Sequence, residues 1–374
     1  MNAATLRWEL RPAAALADDA ALRAAWNALN AERGDLPFLD ASCVVAALRD
    51  FGRGAERLAI GRTPDGAVAA LFVLERQGAL RWQTFQPSQL PLGAWVAGAA
   101  FELAALAHAL MRRPLFPCLV LSITQVDPQV AARAEGAADC MAGDYIETGW
   151  LDLHGPGFGT FDAYWASRGK NLRQNMRKMR NRLEAAGTRL ELVERRERAE
   201  MAEVIRRYGE LETSGWKSGQ GTAVHPDNEQ GRFYRALLEA AAERGEARVY
   251  EYRFGEQVVA MNLGLLRGGV LVVLKTAYDE SAHAFSPAFL LRESELQLMY
   301  ANGEVRRMEY FGRFLEWHSR WTDTKRTLYH LTVYRWGWLA RLAASRRRAA
   351  AVVPEAAAPE AAALAPATTE TPTA

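Results

Sequence analysis

Cysteine is scarce in this sequence: Cys43, Cys118 and Cys140 are the only three in 374 residues, odd in number and far apart. They form no CxxC pair, so neither a disulfide framework nor a cysteine-rich metal module is expected, and a reducing compartment fits. No metal is expected. Long apolar runs are missing too. The most apolar stretch, Ala94–Met111, contains Glu102 and His108 and falls short of the roughly 20 apolar residues of a membrane span. It reads as a buried helix. No apolar signal core forms near the N-terminus, because Arg7, Glu9, Arg11, Asp18 and Asp19 interrupt it. A large charge of one sign is also absent: the net +2 is too small to imply a nucleic-acid partner for the whole molecule. These absences lead us to expect a cytoplasmic protein with no specific nucleic-acid partner.

Enough apolar sequence is present for a core, 49% against 24% charged, and the length suggests two domains. Repetition supports that division. In the second half, Arg248–Arg253, Val258–Leu266 and Val270–Tyr278 read as strands separated by Gly255 and Gly268-Gly269. Arg57–Gly61, Val68–Leu74 and Leu80–Phe85 give the same order in the first half. An offset of 190 residues aligns Val68 with Val258, Ala70 with Ala260 and Gly78 with Gly268. Each triplet precedes a Ser/Pro loop and then a helix, expected over Ala94–Arg112 and Pro287–Asn302. Alternating helices and strands predict α/β domains with mixed sheets. The expected domains are residues 1–150, residues 151–348 and a disordered Ala/Pro/Thr-rich tail over 349–374.

Between the halves, Phe161–Ala186 reads as one long helix with Trp165, Leu172, Met176, Met179 and Leu183 on its inner face and Gly187 as its stop. Its remaining surface carries Arg168, Lys170, Arg173, Arg177, Lys178, Arg180 and Arg182. That surface is either a solvated basic face or a rim that steers a polyanionic substrate. Trp336–Arg348 reads as a second basic helix, docked on the domain or weakly adherent to an anionic membrane surface. Ser286 and Pro287 open the helix after the most apolar strand, an N-cap and an N1 proline. A helix start so placed suits a pyrophosphate.

Several pieces stand in a recognisable order: Lys170-Asn171-Leu172-Arg173, Ser214-Gly215-Trp216-Lys217, Phe233-Tyr234, the strand triplet, Ala277-Tyr278-Asp279-Glu280, Phe285-Ser286-Pro287 and Trp317-His318-x-x-Trp321. Together they resemble a GNAT-superfamily acyltransferase of the BioF2-like or CelD-like type, related to FemAB-like transferases. The resemblance implies tandem GNAT-like domains, each a mixed twisted sheet flanked by helices, with a degenerate first copy. It implies acyl-CoA, acetyl-CoA foremost, as co-substrate, with pantetheine beside Lys275–Tyr278 and phosphates on Ser286, Ala288, Phe289 and Leu290. Ala288 stands where the family usually has glycine, and His318 where it usually has lysine. Trp216 and Lys217 are implied acceptor contacts. Acyl transfer to an amine needs a base and a proton for the departing thiolate. The candidates are Tyr278 as acid and Asp279, Glu309 or His318 as base. The expected activity is N-acylation of a small-molecule or glycan-precursor amine in cell-envelope or exopolysaccharide biosynthesis. The alternatives are a FemAB-like aminoacyl-tRNA-dependent transferase and a non-catalytic GNAT-like scaffold.

Overall fold

The computed structural model describes residues 3–134, 137–155, 158–213 and 224–351. The chain divides into two compact units: residues 3–148 with 326–351, and residues 149–325. The strands are β1 Arg7–Pro12, β2 Arg57–Arg62, β3 Val68–Gly78, β4 Arg81–Thr84, β5 Trp95–Ala97, β6 Val120–Val126, β7 Cys140–Asp152, β8 Leu190–Arg195, β9 Ala247–Phe254, β10 Gln257–Arg267, β11 Val270–Tyr278, β12 Arg307–Tyr310 and β13 Lys325–Tyr334. The helices are α1 Ala15–Asp18, α2 Ala20–Ala31, α3 Ala41–Phe51, α4 Leu103–Arg112, α5 Phe161–Ser167, α6 Lys170–Ala185, α7 Met201–Thr213, α8 Glu229–Glu243, α9 Pro287–Asn302, α10 Glu316–Ser319 and α11 Gly337–Ala351.

Each unit is a mixed sheet flanked by helices, and the two sheets share one plan. In the first unit β1, β2, β3 and β4 pair antiparallel in sequence. β4 then runs parallel to β6 and β6 antiparallel to β13. In the second, β8, β9, β10 and β11 pair antiparallel. β11 runs parallel to β12, and β12 pairs antiparallel with the end of β7. A parallel step needs a crossover, and α4 and α9 provide it. The duplicated plan extends beyond the strand triplet to six strands per unit.

The sixth strand is drawn from a distant part of the chain in both cases. From Arg326 onward β13 belongs to the first unit, whereas the sequence reading places all of residues 151–348 together. Tyr329, Leu331 and Val333 of β13 enter the core built on Phe72, Leu74, Leu106 and Leu110. The second unit's core gathers Leu172, Met176 and Leu183 of α6, Leu290, Leu291 and Leu296 of α9, and Trp321.

Two helices depart from expectation. Ala94–Arg112 is not continuous: Trp95–Ala97 pairs with β3, and α4 starts at Leu103. A strand edge able to take three more backbone pairs outweighs local helix preference there. Phe161–Ala186 breaks into α5 and α6, because Gly169 leaves the helical region at φ −54°, ψ 136° and glycine resists helix interiors. Gly187 does end α6, at φ +71°. α11 continues to Ala351; the rest of the tail, residues 352–374, lies outside the described residues.

Candidate functional site

The β11–β12 ladder is short. It runs from Val270 opposite Arg307 to Val273 opposite Tyr310 and stops, although β11 continues to Tyr278. On its other edge β11 stays paired with β10 as far as Tyr278. Among the described residues no strand pairs with the β12-side edge of Leu274–Tyr278. Five residues at about 3.3 Å each leave an edge of about 16 Å. An extended, amide-bearing ligand can complete such an edge as an added strand.

Beyond the gap the chain turns into α9 through a tight loop. Asp279 starts it and is almost fully engaged: Oδ1 accepts from Ser281 N at 2.9 Å and Ser281 Oγ at 2.7 Å, and Oδ2 accepts from Gln257 Nε2 at 2.7 Å. The expected base is thus held as a loop cap. Ser286 sits at φ +50°, a conformation that costs an L-residue roughly 1–2 kcal/mol. Contrary to expectation, its side chain makes no cap bond.

Its backbone N–H donates to the His283 carbonyl, and its carbonyl accepts from the N–H groups of Phe289 and Leu290. The phosphate contact expected from Ser286, Ala288, Phe289 and Leu290 therefore shrinks. Of these four N–H groups, only that of Ala288 is left without an acceptor among the described residues.

Lys275 also lies differently than expected. Its Nζ is 3.1 Å from the buried Glu212 carboxylate and stands over the Tyr208 and Tyr234 rings at 5.9 and 5.5 Å. The ammonium belongs to an ion pair against α7 and α8, so only the backbone of Lys275 borders the gap. Tyr278 ends β11 half-buried. Burial and then Glu280 raise its phenol above the ordinary range, and among the described residues its hydroxyl has no hydrogen-bond partner.

His318 is 4% exposed. Its ring stacks on Trp317 at 3.6 Å and on Phe314 at 5.3 Å, and Nδ1 accepts the Leu315 N–H at 2.9 Å. Burial, then the nearby Arg292 charge, push its pKa down to about 4. A pH-dependent charge near neutrality, expected from the residue type, is thereby replaced by a neutral core ring. Glu309 is buried on β12 with Oε1 3.5 Å from Arg307 Nη1. The neighbouring Arg306 donates to the Gly268 carbonyl at 2.5 Å. Trp216 and Lys217 lie outside the described residues.

Sequence reasoning missed a buried polar cluster beneath the gap. Arg292 and Glu295 of α9, 3% and 0% exposed, form an ion pair at 2.9 Å. Asn262 of β10 donates to Glu295 at 2.6 Å and accepts from Thr276 of β11 at 2.5 Å. The sequence offers only the i, i+3 spacing of Arg292 and Glu295, in a segment that also carries Glu293, Ser294 and Gln297.

The basic helix is resolved residue by residue. Arg168 lies 3.5 Å from Asp323 and Arg180 lies 2.6 Å from the buried Glu293 of α9. A hollow of about 440 Å³ is lined by Trp165, Lys170, Arg173, Gln174, Arg177, Arg180 and Glu293. For a metal, one group among the described residues converges: His108, Asp139 and Cys140 of the first unit, with ligand atoms within 4.8 Å of one another.

Residues 170–313 match the family profile of the acetyltransferase (GNAT) domain. No curated protein sequence matches the chain. Among solved structures, the C-terminal domain of a chain described as a lysylphosphatidylglycerol synthetase from Agrobacterium fabrum is similar at TM-score 0.51 and 15% identity, over 83% of this chain and 91% of that one. A conserved protein of unknown function from Bacteroides thetaiotaomicron is similar at TM-score 0.51 and 13% identity, over 85% and 97%. A tandem GNAT protein from the clavulanic acid biosynthesis pathway aligns at TM-score 0.44 and 16% identity, over 88% and 99%. Identities this low speak to the fold alone. What the second unit shows is a match to the acetyltransferase (GNAT) domain profile over residues 170–313.

Proposed function

We propose that the second unit transfers an acyl group from acyl-CoA to an amine acceptor, with the pantetheine arm lying along the open edge of Leu274–Tyr278. The splay of β11 from β12 is the observation that carries this reading, because it exposes backbone amides in the row a thioester-bearing arm needs. Tyr278 ends that row with a raised pKa and a hydroxyl that can protonate the departing thiolate. Glu309 is the remaining carboxylate for the base role once Asp279 is tied in its cap and the His318 ring is buried. Trp216 and Lys217 remain the proposed acceptor contacts.

In this reading acetyl-CoA is the first acyl donor to try and the acceptor is an amine of a cell-envelope or exopolysaccharide precursor, met in the cytoplasm. Among the described residues no helix is long and apolar enough to cross a membrane. A surface contact with membrane is the proposed role of α11, where Trp338 is 56% and Leu342 43% exposed beside Arg341 and Arg346.

The test is thermal stabilisation by CoA, acetyl-CoA and longer acyl-CoAs, since a ligand that binds only the native state raises its Tm. Thiol release from the stabilising thioester is then followed with amine acceptors. Tyr278→Phe should keep the stabilisation and lower turnover by about two decades or more. No stabilisation by any acyl-CoA would overturn the reading.

A further inference from the structure

We propose that the hollow beside α6 is a phosphate-recognition site in which Lys170, Arg173 and Arg177 take up the phosphate-bearing part of a substrate. It deepens the acyltransferase reading, on which the word substrate rests; the anion site itself does not depend on it.

The hollow is lined by four cations and one carboxylate, Glu293. That carboxylate is 2.6 Å from Arg180 and only 3% exposed, so the pair cancels and three positive charges remain. Among the described residues none of Lys170, Arg173 and Arg177 has a carboxylate partner; Arg173 Nε donates only to the Arg168 carbonyl at 3.2 Å. They stand at i, i+3 and i+7, so Lys170 repels Arg173 and Arg173 repels Arg177 across one helix face. Elsewhere in this unit arginines are mostly spent on carboxylates: Arg195, Arg196, Arg206, Arg207 and Arg253 all have one. Three unspent cations around one hollow are therefore unusual within this fold itself.

The walls say what kind of anion fits. Trp165 lines the hollow and is already stacked with two rings, Phe161 at 5.7 Å and Trp321 at 5.9 Å. With that ring engaged in the core stack, recognition falls to the cations. Two guanidinium forks and an ammonium suit tetrahedral phosphate oxygens, which accept bidentate and single bonds together.

The site also supplies what the start of α9 lacks. With one free N–H there, at Ala288, the backbone alone offers little for a multiply charged ligand. Glu293 lies six residues beyond Pro287, about 9 Å along α9 at 1.5 Å per residue. A ligand with separated phosphates can span that interval.

Two sources share this chemistry, the phosphates of CoA and a phosphorylated acceptor. The experiment measures inorganic tripolyphosphate binding to the full chain by calorimetry at low salt. Arg173→Met and Arg177→Met together should weaken it at least tenfold with unchanged circular dichroism, while Arg189→Met, on an exposed residue outside the hollow, should not. CoA and dephospho-CoA then identify the source. A loss confined to CoA assigns the 3′-phosphate, a loss shared by both assigns the pyrophosphate, and no loss for either assigns the acceptor. Tripolyphosphate that fails to bind the parent, or binds the double variant equally well, overturns the site. Acyl-CoA turnover surviving that result would leave the acyltransferase reading intact; a confirmed anion site without acyl-CoA binding would leave only the site.

Discussion

His318 shows how far a residue's surroundings can override its type. An ordinary histidine titrates near 6.5, and burial holds this one down to about 4. Above pH 6.5 the ring is neutral in both states and contributes nothing to the pH dependence. As pH falls from 6.5 towards 4 the unfolded chain takes up a proton that the native ring refuses, so stability is lost across that window and levels off below it. The shift corresponds to about 3 kcal/mol at its limit. His318→Gln keeps an acceptor for the Leu315 N–H and removes the titration. The difference in denaturation midpoint between parent and variant should therefore change between pH 7.5 and pH 4.5; parallel profiles would show an unperturbed histidine. The sequence identified His318, Asp279 and Lys275 as chemically capable groups. Whether each was engaged could not be read there, because Gln257, Glu212 and Phe314 reach them from other elements.

At the scale of elements, α9 is the piece that both the sequence and the structure describe in the same terms. Proline at its first position and Gly303 at φ +67° just past its end bound it at Pro287 and Asn302. The sequence shows charged residues within it but not which of them are buried. Arg292 and Glu295 are buried together, and removing one partner leaves the other uncompensated. Arg292→Met should cost about 3–5 kcal/mol, read by urea denaturation. Arg292→Met with Glu295→Leu should recover most of it, because a well-packed apolar pair often matches a buried ion pair. A double variant no more stable than the single would mean that the helix depends on Arg292 for more than charge balance. The short β11–β12 ladder is the other element-scale surprise. Val270–Tyr278 is legible as a strand from its apolar run, but where its neighbour leaves it depends on a pairing that local pattern does not encode.

At the scale of the molecule, the repeat was legible because each copy keeps its triplet of strands in sequence order. The exchange of sixth strands was not, since β13 follows directly on the second copy and nothing in its composition marks it as belonging to the first. A chain ending at Lys325 tests that assignment. The deletion removes Tyr329, Leu331 and Val333, at most 1% exposed each, from the core of the unit that begins the chain. Burying a side chain of that size contributes about 1.5–3 kcal/mol, so the loss approaches 5–8 kcal/mol, comparable with the whole stability of a typical domain. It also strips β6 of its antiparallel partner over Val120–Val126. The second unit keeps its six strands, from the Gly149–Asp152 end of β7 to β8. Limited proteolysis of the truncated chain should therefore cut first within residues 3–148, far in sequence from the deletion, while residues 149–325 stay protected. Cleavage concentrated in 149–325 instead would return β13 to the second unit.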